Sequence, residues 1–334
     1  MTPTGADIVL DTPPERDLPA ARREAIRQLL EDVVTDSRPA PTPHHPRRLW
    51  QGLAMAATTA VVVAAMIVTN VATTGEEIAH AATPPVLNGE LADGEPAAPT
   101  LHELARTAAD DQADDPSRRI RTESWWLSVS VDGEGASEKV STAVTPILRD
   151  RIFRDDGTVR IREVRGEPQF PNEKYRRAWD AQGHPDSTGT ILLDETVPAE
   201  RLDTAYPADL PTDPDSLRAQ LLSTTPPEES AATLFTAIND VHSERVVEPP
   251  TRAAALRLLA EDEGVVSLGE MTDRAGREAM AFATDSTASG LERRHVLFVD
   301  PDDGAVLAYE EILTGDTGRL GISSPSVVAY TLFR

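Results

Sequence analysis

The sequence predicts an α+β fold: a curved, half-barrel-like antiparallel sheet carrying helices on one face, preceded by a single transmembrane helix. Three observations carry that expectation. Strand patterns come as consecutive hairpins, capped helix starts interrupt them midway, and one stretch near the amino terminus is long, apolar and uncharged.

The uncharged stretch, Gly52 to Ala72, reads GLAMAATTAVVVAAMIVTNVA. As a helix its 21 residues cover roughly 30 Å, the thickness of bilayer hydrocarbon. Asn70 falls near the far end, where headgroups solvate it, and Trp50 sits at the near end as an interfacial anchor. Arg47 and Arg48 precede the stretch, Glu76 and Glu77 follow it, and no Lys or Arg returns until Arg106. That asymmetry places the amino terminus in the cytoplasm. The expected organisation is a cytoplasmic arm over 1–50, a span over 51–73, a flexible Ala-, Pro- and Thr-rich stalk over 74–99 and an extracytoplasmic domain over 100–334. A cleaved secretory signal is the rival reading, because Ala79-His80-Ala81 resembles a small-x-small cleavage site and Arg47-Arg48 a twin-arginine pair. The length of the apolar run and the long polar lead before it favour a retained anchor.

Within the arm, Asp17 to Asp36 reads DLPAARREAIRQLLEDVVTD. Pro19 suits a first helical turn, and Ala25, Ile26, Leu29, Leu30, Val33 and Val34 recur at three- and four-residue spacing, giving one apolar face. The Pro-rich linker SRPAPTPHHP follows, so this helix has no core of its own. Ile26, Leu29, Leu30 and Val33 are therefore expected to dock on a cytosolic partner, and a helix lying on the inner membrane surface is the alternative. His44 and His45 in the linker lack a third metal ligand and read as solvated.

Composition narrows the function classes. The chain of 334 residues has 32 Lys plus Arg against 56 Asp plus Glu, a net charge of -24. Phosphate binding needs concentrated positive charge, so nucleic acid is excluded as a partner. The arm carries 7 Arg and 8 acidic groups, which leaves almost all the negative charge beyond the span. There are no cysteines, which removes disulfides, thiolate metal sites and thiol nucleophiles together. Basic residues are 30 Arg to 2 Lys (Lys139 and Lys174), with 27 Pro, a bias that points to a GC-rich genome of the actinobacterial kind.

The outer domain is expected to open with a capping box, Thr100 and Glu103, then strands over 124–131, 139–153 and 159–164, the last two joined at Asp156-Gly157. Trp125 and Trp126 must leave their strand on opposite faces. Three helices follow: one capped by Asp213 with Pro214, one by a Thr225/Glu228 box, and one from Pro250 and Thr251 to a stop at Gly264. Strands over 265–271, 277–284, 293–299, 305–312 and 327–333 then form a meander, linked by TDRAG and DPDDG turns.

Catalytic signals are absent from this pattern. There is no phosphate-cradling Gly-rich loop, no HExxH pair and no GxSxG elbow, and the seven His are scattered without metal spacing. Asp110-Asp111, Asp155-Asp156, Glu228-Glu229 and Glu310-Glu311 are the acidic doublets that acid-base chemistry would need, and all are expected to be solvated. DPDDG lacks the distal Glu of a calcium loop and reads as a hairpin turn. No catalytic, cofactor-binding or metal residue is expected.

The order of these features, with TLHELAR, the WW strand, LPTDPDSLRAQL, PPTRAAALRLLAEDEGV, VVSLGEMTDRAGREAMAF and HVLFVDPDDGAVLAYEEI, resembles a family of actinobacterial single-pass membrane proteins often encoded beside an extracytoplasmic-function sigma factor. The final strands also resemble the half-barrel superfamily of periplasmic lipoprotein carriers and regulators of anti-sigma factors. The two-sided architecture, a docking helix inside and a folded domain outside, is expected to make a membrane-anchored, non-enzymatic regulator that senses an envelope lipid or protein, and the resemblance implies a sigma factor as its cytosolic partner. The alternative it implies is a tethered lipid or lipoprotein carrier. No cofactor is implied.

Overall fold

The computed structural model describes residues 80–334, apart from 112–117, 128–140, 182, 184–186, 203, 208, 224–229, 289, 318–319 and 321. Ile26, Leu29, Leu30 and Val33, the anchor flank Arg47, Arg48 and Trp50, the expected span 51–73 and the start of the stalk lie outside the described residues. Among the described residues no helix is long and apolar enough to cross a membrane.

In chain order the elements are β1 (Glu95–Pro96), α1 (Ala98–Asp110), β2 (Arg119–Trp126), β3 (Ile147–Phe153), β4 (Thr158–Arg165), α2 (Glu173–Ala181) and β5 (Ile191–Pro198). They continue with α3 (Pro214–Leu222), α4 (Ala231–Glu244), α5 (Pro249–Ala260), β6 (Val266–Thr272), β7 (Glu278–Ser286), β8 (Arg293–Val299), β9 (Val306–Leu313) and β10 (Ser326–Phe333). The strands form one sheet in the order β1-β6-β7-β8-β9-β10-β2-β3-β4-β5. Every neighbouring pair is antiparallel. The fold is thus α+β on a large antiparallel sheet with five helices among the described residues.

Local chemistry explains most of the elements. Asp213 caps α3 by accepting the Ser216 amide at 3.1 Å, with Pro214 in the first turn. Ser230 caps α4 by accepting the Thr233 amide, so this helix starts later than a Thr225 box would place it. Leu234, Ile238 and Val241 then fall on one face with Phe235 beside them, all buried. Their burial stabilises the fold by about 1.5–3 kcal/mol per side chain. Helix α5 is buried around much of its circumference because α1, α3 and α4 all touch it. Helix α1 begins at Ala98 with Pro99 in its first turn and has no side-chain cap, so Thr100 is an interior residue. Helix α2 and the edge strand β5 were not foreseen; neither α2 nor the apolar end of β5, Ile191 and Leu192, is buried.

Over β7 to β10 the sheet has two covered faces. On one, α1, α3, α4 and α5 pack with Phe282, Leu297, Val299, Val306 and Tyr309. On the other, Trp125, Ala281, Ala283, Val296, Phe298, Ala308 and Tyr330 pack with Ala82, Val86 and Leu87. The segment 80–94 is therefore a strap across the second face, where a free stalk was expected. Ala82 and Glu90 are fully buried, the Ala82 amide donates to the Ser141 carbonyl at 2.7 Å, and β1 extends the sheet beside β6. Small residues let the strap lie close to the strands, which is why its Ala- and Pro-rich composition mimics a linker.

The DPDDG segment is a hairpin turn as expected: the Gly304 amide donates to the Asp300 carbonyl at 3.0 Å, and Asp303 accepts the Ala305 amide at 2.8 Å. Gly304 has φ +68, and a Cβ there would stand 2.7 Å from Ala108 Cβ of α1. Turn geometry and the closeness of α1 both require glycine. Gly304→Ala is expected to destabilise the fold by about 2–4 kcal/mol, read as a lowered urea midpoint.

Candidate functional site

Glu310 and Glu311 are successive residues of β9, so they leave the sheet on opposite faces. The expectation that this doublet is solvated is overturned: Glu310 is 0% and Glu311 7% exposed. Each enters its own buried polar network.

On the strap face, Glu310 accepts a hydrogen bond from Arg274 Nη2 at 2.5 Å. Arg274 stands in the β6–β7 turn, its guanidinium 5.5 Å from the centre of the Tyr330 ring. The strap brings in Glu90, fully buried, whose Oε2 accepts the Leu87 amide at 2.5 Å. Glu90 and Glu310 interact, and the Oε1 atom of each is buried without a hydrogen-bond partner. Two ionised carboxylates can only accept, so they cannot bond to one another until one of them holds a proton. Burial pushes the Glu90 carboxyl up, against its bond to Leu87 and the nearby Arg274 charge. Burial also pushes Glu310 well above the carboxylate range, and Arg274 opposes it only in part.

Among the described residues, the surroundings leave no second free cation for this pair. Arg294 is committed to Asp285 through bonds of 2.8 and 2.9 Å, and its Nη1 holds the strap through the carbonyls of Glu90 and Ala92 at 3.2 and 2.6 Å. Arg277 is committed to Asp273, and Arg334 to Glu123. Tyr330 donates to Glu123 at 3.3 Å and stacks on Trp125. As expected, the two adjacent tryptophans part: Trp125 is buried while Trp126 is 43% exposed.

On the helix face, Tyr309 is the hub. Its hydroxyl donates to Glu311 at 3.0 Å and lies 2.7 Å from His295 Nδ1 and 3.1 Å from Thr236 Oγ1 of α4. Arg293 closes the network on Glu311 at 2.9 Å. Nearby, burial and then the Glu244 charge push Asp240 up to about 7. His242 is held down to about 4 by burial, and its Nδ1 donates to the Ile238 carbonyl at 2.8 Å.

Access decides what these groups can do. The enclosed cavity beside His242 is ≈ 10 Å³, the lower limit for a single water. A larger groove of ≈ 540 Å³ is open to solvent and lined by Leu91, Asp285, Glu292, Arg293 and Arg294. Neither reaches the Glu90 and Glu310 carboxyls, which lie beneath the strap. Among the described residues no group of three or more His, Asp or Glu is placed to hold a metal ion. The arrangement sets two buried acids side by side, one on the strap and one on a central strand.

Asp110-Asp111 and Asp155-Asp156 lie at a helix end and in a turn, with Asp110, Asp155 and Asp156 exposed. Asp111 pairs with Arg252, while Asp156 sits in an exposed turn, held below the usual carboxylate range by hydrogen bonds from Thr158. Glu228-Glu229 lies outside the described residues. Glu90, Arg274, His295 and Tyr309 were not singled out by sequence, and no local pattern marks them. Comparison of the chain with protein-family models, curated proteins and solved structures found no match.

Removing Arg274 strands a buried carboxylate. Arg274→Met is expected to cost about 3–5 kcal/mol in urea unfolding at neutral pH, and Glu310→Gln distinctly less, because the amide stays neutral.

Proposed function

We propose that the chain is a membrane-anchored, non-enzymatic regulator whose outer domain senses an envelope ligand and whose amino-terminal arm engages a cytosolic partner, a sigma factor being the partner that the family resemblance suggests. The observation that carries this reading is the strap. The segment soon after the expected span is part of the folded core, so a change on the strap face is felt by the chain that leads to the membrane. A loose stalk would insulate the two.

The finer architecture belongs to the same proposal: a span over 51–73 and a sheet curved as a half barrel. Curvature is supported by Arg277, which precedes β7 yet donates to the carbonyls of Leu307 on β9 and Phe333 on β10 at 2.8 and 2.5 Å. In a flat sheet β7 and β10 would stand about 14 Å apart. The concave face would then be the one the strap covers.

A tethered lipid carrier is the second reading, supported by the open groove of ≈ 540 Å³ beside the strap. Native mass spectrometry of the full-length chain in detergent separates the two: a stoichiometric copurified lipid seated outside the span favours the carrier. Making Leu29, Leu30 and Val33 polar is expected to abolish capture of the cytosolic partner in a pull-down from cells. Unchanged capture contradicts the docking helix.

A further inference from the structure

We infer that Glu90 and Glu310 form a proton-held clasp: one shared proton keeps the strap on the sheet, and its loss at alkaline pH lifts the strap and uncovers the apolar face beneath. The clasp deepens the regulator reading by naming what operates the strap, and it would stand as chemistry even if no cytosolic partner were found.

The geometry carries the inference in three steps. First, both carboxyls are fully buried, each with an unpartnered Oε1, so a proton between them satisfies both atoms at once. Second, the charge count at the site closes only in the protonated state. With one proton present, a single carboxylate faces the single cation Arg274; with none, two carboxylates do. Among the described residues, the other charged groups facing the pair are already engaged: Arg294 from β8 with Asp285 of β7, Arg277 with Asp273 at the β6–β7 turn, Glu123 of β2 with Arg334. Asp93 adds negative charge near Arg294. The flanking groups are neutral: the Tyr330 hydroxyl of β10, raised by burial and by Glu123, and Met271 of β6 against Gly89.

Third, the strap is the element able to yield. Glu310 is fixed in a central strand paired on both sides, whereas Glu90 sits in a chain held to the domain by a few bonds: Arg294 to two of its carbonyls, the Ala82 amide to Ser141 and the Tyr175 hydroxyl to the His80 carbonyl. An unbalanced charge is relieved by moving Glu90 into water. The sign follows from the raised carboxyls. The closed strap binds more protons than the open one, so closure is favoured at low pH and weakens as pH rises through the raised range. The uncovered surface would include Ala281, Val296, Phe298 and Ala308, an apolar strip suited to an extended ligand.

The absence of cysteine makes the test clean. A nitroxide at Asn88→Cys, an exposed strap position, is introduced into the full-length chain in lipid nanodiscs, and its line shape is followed from about pH 6 to about pH 9. The mobile fraction is expected to rise at least about threefold over that range in the otherwise unaltered chain. Glu310→Gln and Glu90→Gln, made separately, should each hold the label immobile throughout, because neither leaves two carboxylates to repel. A label that stays immobile in the parent, or that mobilises equally in parent and variants, overturns the clasp. Loss of the cytosolic partner is read separately by pull-down, so failure of the regulator reading and failure of the clasp are distinguishable.

Discussion

The arrangement turns on one buried carboxylate. Glu310 lies in a central strand with no exposure to solvent, and among the described residues a single guanidinium, Arg274, answers its charge. Burying an ionised carboxyl costs several kcal/mol unless the site compensates it. Compensation here comes from Arg274, in a turn 36 residues earlier and packed over the Tyr330 ring, while the second acid that the strap delivers, Glu90, works against a second charge at the site. Strap, turn and central strands are thereby made interdependent, because displacing any of them leaves charge stranded in the interior.

The same strand feeds the opposite face through its next residue. Glu311 is answered by Tyr309 and Arg293, and Tyr309 reaches Thr236 on α4. One pleat therefore joins the strap to the helical layer by way of two consecutive acids. A change in the charge of the strap-face network acts on the element that also seats α4, and a packed core passes such changes on in discrete rearrangements.

Much of the fold was legible because its signals are local. Alternating apolar residues with DPDDG and TDRAG turns predict β6 to β10 within a residue or two, and Asp213-Pro214 places the start of α3. The strap was not legible, because Ala, Pro and Thr at 80–94 read equally well as a linker, and only the small gap over the sheet makes them core residues. Helix α2 offers only a short stripe, Tyr175, Ala178 and Trp179, that is half-buried and easily passed over among charged residues, and β5 is an edge strand whose exposed positions blur alternation. Glu310 escaped for a related reason. An acidic doublet on a strand is solvated by default, and its true partners, Arg274 and Glu90, are remote in sequence. The signal available in hindsight is position: the doublet lies inside a fully apolar-flanked strand, VLAYEEIL, where a solvated pair has no place on both faces of a covered sheet.

Coupling between the strap and the sheet requires the strap to be core and not linker. Amide hydrogen exchange of the full-length chain at about pH 6 tests this directly, because the Ala82 amide donates to the Ser141 carbonyl outside the strap, and the amides of Leu87, Glu90 and Ala92 close turns within it that only docking on the sheet holds in place. Protection within about one to two orders of magnitude of that in β8 and β9 is the predicted result. Exchange at the rate of an unstructured chain, with β8 and β9 still protected, would contradict it.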